Sequence, residues 1–376
     1  MIALVTGASG FLGRNLCLRL GERPDTAVVA YDLGTPEEVL EEGLRTCDIV
    51  FHLAGVNRPQ YQHEFHAGNV DPTRHVCERL AAIGRRPPVV FSSSVQAELD
   101  NAYGASKRVA EDVLRSFCER TGGSAVVHRL KNLFGKWCRP NYNSVTATFC
   151  HNVARDLAIE ISDPAREIDL TYVDDVVEAF VSELDGPVVV GYQLAAPLPS
   201  VRIALGELAA LIRSFGESRR TLLIPDFSSR FVRALYATYL SYLPAGAFRY
   251  GLDIRTDARG TLAEFVKSSS FGQVFVSRTR PGIRRGDHYH HTKTEKFLVV
   301  EGQAIVRFRH TVTGEVHEYR VAGERFEVVD IPPGYTHSIE NVGSGELVTL
   351  FWASEVFDPA RPDTRPMKVL PEGEAR

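Results

Sequence analysis

The chain has 376 residues, with 43 Lys and Arg against 47 Asp and Glu, a formal net charge of −4 at pH 7. That balance carries no electrostatic footprint for nucleic acid or an anionic membrane surface. A hydrophobic content of 44% and a charged content of 24% exclude wholesale disorder, and the length predicts two domains or three.

No apolar run approaches the ~20 residues that span a bilayer. Met1 leads straight into a strand pattern, without the basic and apolar regions of a secretory signal, so a soluble cytoplasmic protein is expected. Six cysteines (Cys17, Cys47, Cys77, Cys118, Cys138, Cys150) lie in the first half with no Cys-x-x-Cys pair. They read as reduced, mostly buried thiols without a role.

Short β-branched runs at 2–6, 27–31, 49–53, 89–93 and 125–130 alternate with amphipathic stretches at 12–20, 36–44 and 103–120. Such alternation predicts a doubly wound parallel sheet covered by helices on both faces. Residues 203–215 and 230–243 read as helices of a smaller lobe over the C-terminal edge of that sheet. After Pro244-Ala245-Gly246 the pattern changes to short alternating runs at 273–278, 297–300, 303–310, 318–321, 326–331 and 347–352. Many short strands at even spacing predict an all-β sandwich or barrel. The expected domains are therefore 1–245 and 246–376.

Gly7-Ala8-Ser9-Gly10-Phe11-Leu12-Gly13 follows the first strand and opens the first helix. Glycines at these steps permit a tight turn and close approach of backbone to a pyrophosphate, which the helix N-terminus attracts. Asp32, ending the second strand, stands where an acid would bond the ribose 2′-hydroxyl of NAD; capping of the following turn is an equal alternative. Arg14 could meet a 2′-phosphate or remain a solvated helix residue. Leu53-Ala54-Gly55 ends the third strand in small residues that let a dinucleotide lie close, and His52 before them reads as a core histidine.

Ser92-Ser93-Ser94 ends the fourth strand, and Tyr103 and Lys107, four apart, share one face of the next helix. A ketone accepting hydride needs a proton on its oxygen, which a tyrosine hydroxyl can give. The free phenol has a pKa of about 10, and a neighbouring ammonium favours the phenolate. Ser94 would hold the carbonyl. With the glycine turn, Arg129-Leu130-Lys131-Asn132-Leu133-Phe134-Gly135 and Tyr172-Val173-Asp174-Asp175, this half resembles the extended short-chain dehydrogenase/reductase family. The resemblance implies a Rossmann core, bound NADPH or NADH, and Ser94, Tyr103 and Lys107 as catalytic residues.

In the second half, Gly282 is followed by His288-Tyr289-His290, Glu295 and Gly302, and a later segment, 332–341, brings His337. A side-chain period of two puts His288 and His290 on one strand face. Three imidazoles and a carboxylate suit a divalent metal such as zinc. The two segments resemble cupin motifs, with a long gap from Gly323 to Pro332 expected to lengthen a hairpin. Some sugar epimerases of that fold use the equivalent histidines as bases without metal, and both roles stand open.

The pairing of halves resembles the CapF/WbjC family of bifunctional capsular-polysaccharide and O-antigen enzymes. It is carried by 53–59, 132–138, 140–145 and His288-Tyr289-His290-His291-Thr292-Lys293. The resemblance implies C-3 epimerisation of a UDP-linked 4-keto-6-deoxy-N-acetylhexosamine by the cupin and C-4 reduction by the reductase. The product implied is UDP-2-acetamido-2,6-dideoxy-L-talose, precursor of UDP-N-acetyl-L-fucosamine, and a homodimer is expected on the same grounds. The family uses NADPH, but Asp32 would repel a 2′-phosphate, so NADH or dual use is open. Lys131 stands where relatives tend to carry proline, at the expected substrate lip. With four residues spent as ligands, His291, Lys296 and Tyr335 remain as neighbours of the epimerase centre. Two rival readings are a non-catalytic NAD(P)-binding redox sensor and a reductase with a purely structural cupin.

Overall fold

The computed structural model describes residues 1–370. The chain separates into two compact units, Met1–Arg213 with Arg233–Pro244, and Ser214–Val232 with the chain from Ala245 onward. The first unit runs β1 (Ile2–Thr6), α1 (Phe11–Gly21), β2 (Ala27–Tyr31), α2 (Glu37–Thr46), β3 (Ile49–His52), α3 (Asp71–Ala82), β4 (Val89–Ser94), α4 (Ala102–Thr121) and β5 (Ser124–Leu130). Next come β6 (Asn132–Phe134), α5 (Val145–Val153), β7 (Glu167–Tyr172), α6 (Val173–Asp185), β8 (Gly191–Leu194) and β9 (Val201–Ala204). Helix α7 (Leu205–Thr221) passes from the first unit into the second, and α8 (Arg230–Ser241) lies mainly in the first.

Six strands form an all-parallel sheet in the order β2-β1-β3-β4-β5-β8. Their side chains alternate between two cores. Leu4, Val50, Val89 and Phe91 pack with α2, α3 and α4 on one face. Ala3, Val5, Ile49, Phe51 and Val90 pack with α1 and α6 on the other. Burial on both faces explains why these strands read as unbroken apolar runs. The order reverses between β1 and β3, the switch point outside which open α/β sheets bind ligands. Among the described residues no strand lies beyond β2 in this sheet, so the fold there is Rossmann-like without the outer strand.

Residues 181–243 are not purely helical. Gly191–Leu194 joins the main sheet beside β5, and Val201–Ala204 completes a small sheet in the order β6-β7-β9. Neither segment has a strong apolar alternation, so its strand state comes from its partners.

The second unit contains β10 (Ile254–Asp257), β11 (Gly260–Ser268), β12 (Gly272–Thr279), β13 (Arg284–Tyr289), β14 (Glu295–Glu301) and β15 (Gln303–His310). It continues with β16 (Val316–Ala322), β17 (Val328–Ile331), β18 (Tyr335–Asn341), β19 (Leu347–Ala353) and β20 (Arg365–Pro366). They form two antiparallel sheets, β10-β11-β12-β19-β14-β17 and β16-β15-β18-β13-β20. Phe297, Val299, Val306, Phe308, Ile339 and Phe351 fill the core between them. The segment from Gly323 to Pro332 is not a lengthened hairpin, because β16 and β17 belong to different sheets and the chain crosses between them. Within this unit Leu223 bridges Lys267 of β11, with Ile224 N–H donating to Lys267 O at 2.9 Å and Lys267 N–H to Leu222 O at 2.8 Å. Among the described residues no helix is long and apolar enough to cross a membrane.

Candidate functional site

A cavity of about 520 Å³ opens at the C-terminal ends of β1, β3 and β4. The glycine turn forms one wall. A Cβ on Gly13 would stand 2.1 Å from Gly7 O, and one on Gly7 2.7 Å from Ala54 N, so neither position admits a side chain. Gly10 caps α1 without a side-chain bond, leaving the first N–H groups of the helix directed at the cavity where Phe11, Leu12 and Gly13 line it. Leu53 and Gly55 line the same cavity, while Ala54 backs the turn, its N–H donating to Thr6 Oγ1 at 3.4 Å.

Asp32 faces the glycine turn. Its carboxylate accepts from Ser9 N–H and Leu33 N–H, each at 2.7 Å, and from the Ser9 hydroxyl. Burial raises its pKa, but these bonds and the Arg14 charge hold it below the usual value. It therefore braces the loop, and Arg14 lines the cavity beside it. His52 is a core residue, as expected. Its ring nitrogens meet Thr6 Oγ1 at 2.7 Å and Thr73 Oγ1 at 3.0 Å, and burial pushes its pKa down to about 3.

Ser94, Tyr103 and Lys107 meet on the opposite wall. Ser94 ends β4 and caps a short 3₁₀ turn, accepting from Gln96 N–H at 3.2 Å. Asn101 caps α4 by accepting from Gly104 N–H at 2.8 Å, and Gly104 lets α4 press onto that turn, since a Cβ there would lie 2.0 Å from Gln96 O. This contact sets Tyr103 beside Ser94. Burial raises the phenol pKa and the Ser94 hydroxyl draws it back, so the ring is a neutral proton donor near pH 7. Lys107 is 4% exposed; its Nζ donates to Ser92 O at 3.0 Å and lies 5.0 Å from the Phe91 ring. Burial pushes its pKa down to about 8, against the opposing charge of Glu111.

Two supporting residues escaped the sequence reading. Glu111, one helical turn beyond Lys107, accepts from Ser93 Oγ at 2.5 Å and from Arg129 Nε and Nη2 at 3.0 and 2.6 Å. Asn69 donates to Ser106 Oγ at 2.9 Å and exchanges two 2.9 Å bonds with the Val56 backbone. The Glu111 position, four after Lys107, was a readable signal; Asn69 sits in an irregular turn with none. Lys131 lines the cavity and donates to Ser200 Oγ at 2.9 Å. All six cysteines are free thiols, Cys17 and Cys138 only partly buried.

In the second unit, one donor atom each from His288, His290, Glu295 and His337 lies within 4.8 Å of the others. His288 faces His337 across the β13–β18 pair, and Glu295 opens β14. His290 is not on the strand with His288; it lies one residue past β13, with ring centroids 4.9 Å apart. Its Nδ1 donates to Asp363 O, which turns Nε2 inward. The Nε2 atoms of His290 and His337 are buried without a hydrogen-bond partner, 3.4 and 3.3 Å from the Glu295 carboxylate. Burial and the other two imidazoles push His288 down to about 4, keeping it neutral. Burial raises the Glu295 pKa, but His290, His337 and Lys293 hold it far below the usual range. A neutral His288, two buried Nε2 atoms without a hydrogen-bond partner and an ionised carboxylate form the kind of donor set that a divalent cation takes.

The neighbours divide unevenly. Lys296 points away from the cluster and bonds Asp330, as strand alternation from Glu295 dictates. Tyr335 shares the inner face with His337 and packs edge-on to His310 at 4.9 Å. His291 is exposed beside Tyr289. Lys293, overlooked in the sequence, brings Nζ to 3.3 Å from Glu295 Oε1.

Residues 3–189 match the model of the NAD dependent epimerase/dehydratase family, and residues 255–365 that of the polysaccharide biosynthesis C-terminal domain. The chain is 46% identical over 364 residues to UDP-2-acetamido-2,6-beta-L-arabino-hexul-4-ose reductase of Pseudomonas aeruginosa, covering 97% of this chain and 98% of that one. Capsular polysaccharide assembling protein CapF from Staphylococcus aureus superposes with a TM-score of 0.90 at 44% identity, over 98% of this chain and 100% of that one. A UDP-glucuronic acid 4-epimerase of Bacillus cereus, solved with NAD, shares the fold of 64% of this chain and 98% of its own at a TM-score of 0.55 and 17% identity.

Proposed function

The chain belongs to the CapF-like family, and from that premise we propose a bifunctional enzyme acting on a UDP-linked 4-keto-6-deoxy-N-acetylhexosamine. The cupin unit epimerises C-3 and the Rossmann unit reduces the C-4 ketone, giving UDP-2-acetamido-2,6-dideoxy-L-talose, precursor of UDP-N-acetyl-L-fucosamine for capsule or O-antigen. The observation that carries the reading is the convergence of Ser94, Tyr103 and Lys107 on the cavity walled by the glycine turn.

In the reductase, a reduced nicotinamide, when bound, would supply the hydride for C-4 and leave oxidised. Tyr103 gives its phenolic proton to the C-4 oxygen, completing the hydroxyl. Lys107 lowers the cost of the phenolate left behind, and Ser94 donates to the carbonyl and aligns it. Gly7, Gly10 and the N–H groups of Phe11, Leu12 and Gly13 would hold the diphosphate, with Leu53 and Gly55 lining the same cavity and Ala54 backing the turn. Asp32 offers its remaining acceptor capacity to a ribose 2′-hydroxyl, whereas Arg14 would attract a 2′-phosphate, so both NADH and NADPH are expected to serve.

In the all-β unit, His288, His290, Glu295 and His337 would hold a divalent metal, with zinc the first choice for this donor set. Such an ion would stabilise charge developing on the sugar carbonyl oxygen while the acidified C-3 proton exchanges. The buried, unpartnered Nε2 atoms support this reading. We further place the enzyme in the cytoplasm as a homodimer, with its chemistry divided near residue 245.

The test is product NMR after incubating the protein with the 4-keto sugar nucleotide and either reduced cofactor. Tyr103→Phe is expected to abolish cofactor oxidation while deuterium from solvent still enters C-3, and chelation is expected to stop that exchange. Absence of cofactor oxidation by the unaltered protein would leave the redox-sensor reading. Absence of deuterium at C-3 would leave a reductase with a structural cupin.

A further inference from the structure

Resting on the metal-site reading, we infer that Asp363 is the positioning residue of the barrel centre, gripping the ligand loop through its carboxylate and His290 through its carbonyl. The observation is a two-point hold by one residue more than seventy positions away in sequence. Asp363 O accepts from His290 Nδ1. A ligating histidine needs one ring nitrogen protonated and engaged so that the other presents its lone pair, and the partner of the engaged nitrogen fixes both tautomer and ring plane. Here that partner is a main-chain carbonyl, and the Nε2 it leaves unprotonated is the buried atom without a partner.

A carbonyl can do this only if its residue is immobilised, and the Asp363 side chain supplies the anchor. Its carboxylate accepts from three successive N–H groups directly after His290. These are His291 at 3.0 Å, Thr292 at 2.8 Å and Lys293 at 2.9 Å, joined by the Thr292 hydroxyl at 3.1 Å. Successive amides converging on an anion form a nest, a strong seat for a carboxylate. The loop and the residue thus fix each other, with His290 at their junction.

The following strap extends the hold to the other imidazoles. Pro366 and Arg365 pair with His288 and Tyr289, and Met367 N–H donates to Asp287 O at 2.9 Å. Thr336, beside His337, donates its hydroxyl to Met367 O at 2.5 Å. The segment from Asp363 to Met367 therefore touches the flank of every histidine in the cluster.

The experiment compares Asp363→Ala and Asp363→Asn with the unaltered full-length protein in zinc competition against a chromophoric chelator, and in the visible spectrum after cobalt substitution. Melting of the metal-free forms and binding of reduced cofactor report on the fold. Asp363→Ala is expected to weaken zinc binding about 10–100-fold, the usual effect of losing an outer partner, and to alter the cobalt bands while cofactor binding stays unchanged. Asp363→Asn keeps one acceptor oxygen, so a loss of a few-fold is expected; it carries the test should the alanine form not fold. Zinc affinity and cobalt bands unchanged in the variants would overturn the inference, whether or not the metal-free protein melts lower. Failure of the unaltered protein to bind zinc would instead refute the metal-site reading, and the inference with it.

Discussion

Gly104→Ala tests how the reductase site is assembled. On an exposed helix this change would add up to about 1 kcal/mol of stability, but here the new Cβ starts 2.0 Å from Gln96 O, 2.9 Å from Gln96 C and 3.0 Å from Leu99 O. All three are main-chain atoms, so no rotamer can yield. Real Cβ atoms essentially never come within 3.0 Å of another atom, so α4 must withdraw from the 3₁₀ turn by about 1 Å, the scale of misplacement that costs roughly 100-fold in rate. That factor corresponds to about 2.7 kcal/mol of transition-state stabilisation, with overpacking adding about 1–3 kcal/mol of destabilisation. Tyr103 rides on α4 and Ser94 on β4, so the loss should fall on kcat for cofactor oxidation. The cofactor Kd, set by the glycine turn on β1 and α1, should hold. A variant with kcat within about twofold of the parent would refute the argument that this packing contact aligns the pair.

The pH profile of reduction should show an alkaline limb. Lys107 loses its proton as pH rises through about 8, removing the charge that favours the Tyr103 phenolate, so kcat/KM is expected to fall above that pH; a profile flat to pH 10 would exclude the role given to Lys107. Glu111→Ala strips Ser93 and Arg129 of their shared acceptor. Breaking a buried pair in this way costs about 3–5 kcal/mol, and because Arg129 keeps Glu98 at 2.7 Å the lower end is expected in urea unfolding. A loss under about 1 kcal/mol would show that the network is not structural.

The parts of the molecule legible in the sequence were those whose state is decided locally. The runs at 2–6, 27–31 and 303–310 are strands over just those residues, because β-branched and aromatic residues suit a pleated surface. The glycine turn and the Ser94, Tyr103 and Lys107 set were readable for a similar reason: each is a short spacing placed on a strand end or helix start. Gly191–Leu194 escaped notice because it is a strand only through its pairing with β5. His290 shows the same limit within a motif. The His-x-His spacing suggested one strand face, but the ring is held from beyond the strand end by a residue that no local pattern could connect to it. Lys293 and Glu111 lay in plain view beside motif residues, and only the fold reveals that one meets Glu295 and the other Arg129 and Ser93.

Helix α7 begins in one compact unit and ends in the other, and the chain then returns before leaving again at Pro244. A gene severed after that proline would carry away residues 222–224 from the strand edge they complete at Lys267. The two units are thus joined by three crossings of the chain. Exchanging either half by recombination would demand several coordinated breakpoints, which favours inheritance of the pair as an indivisible whole.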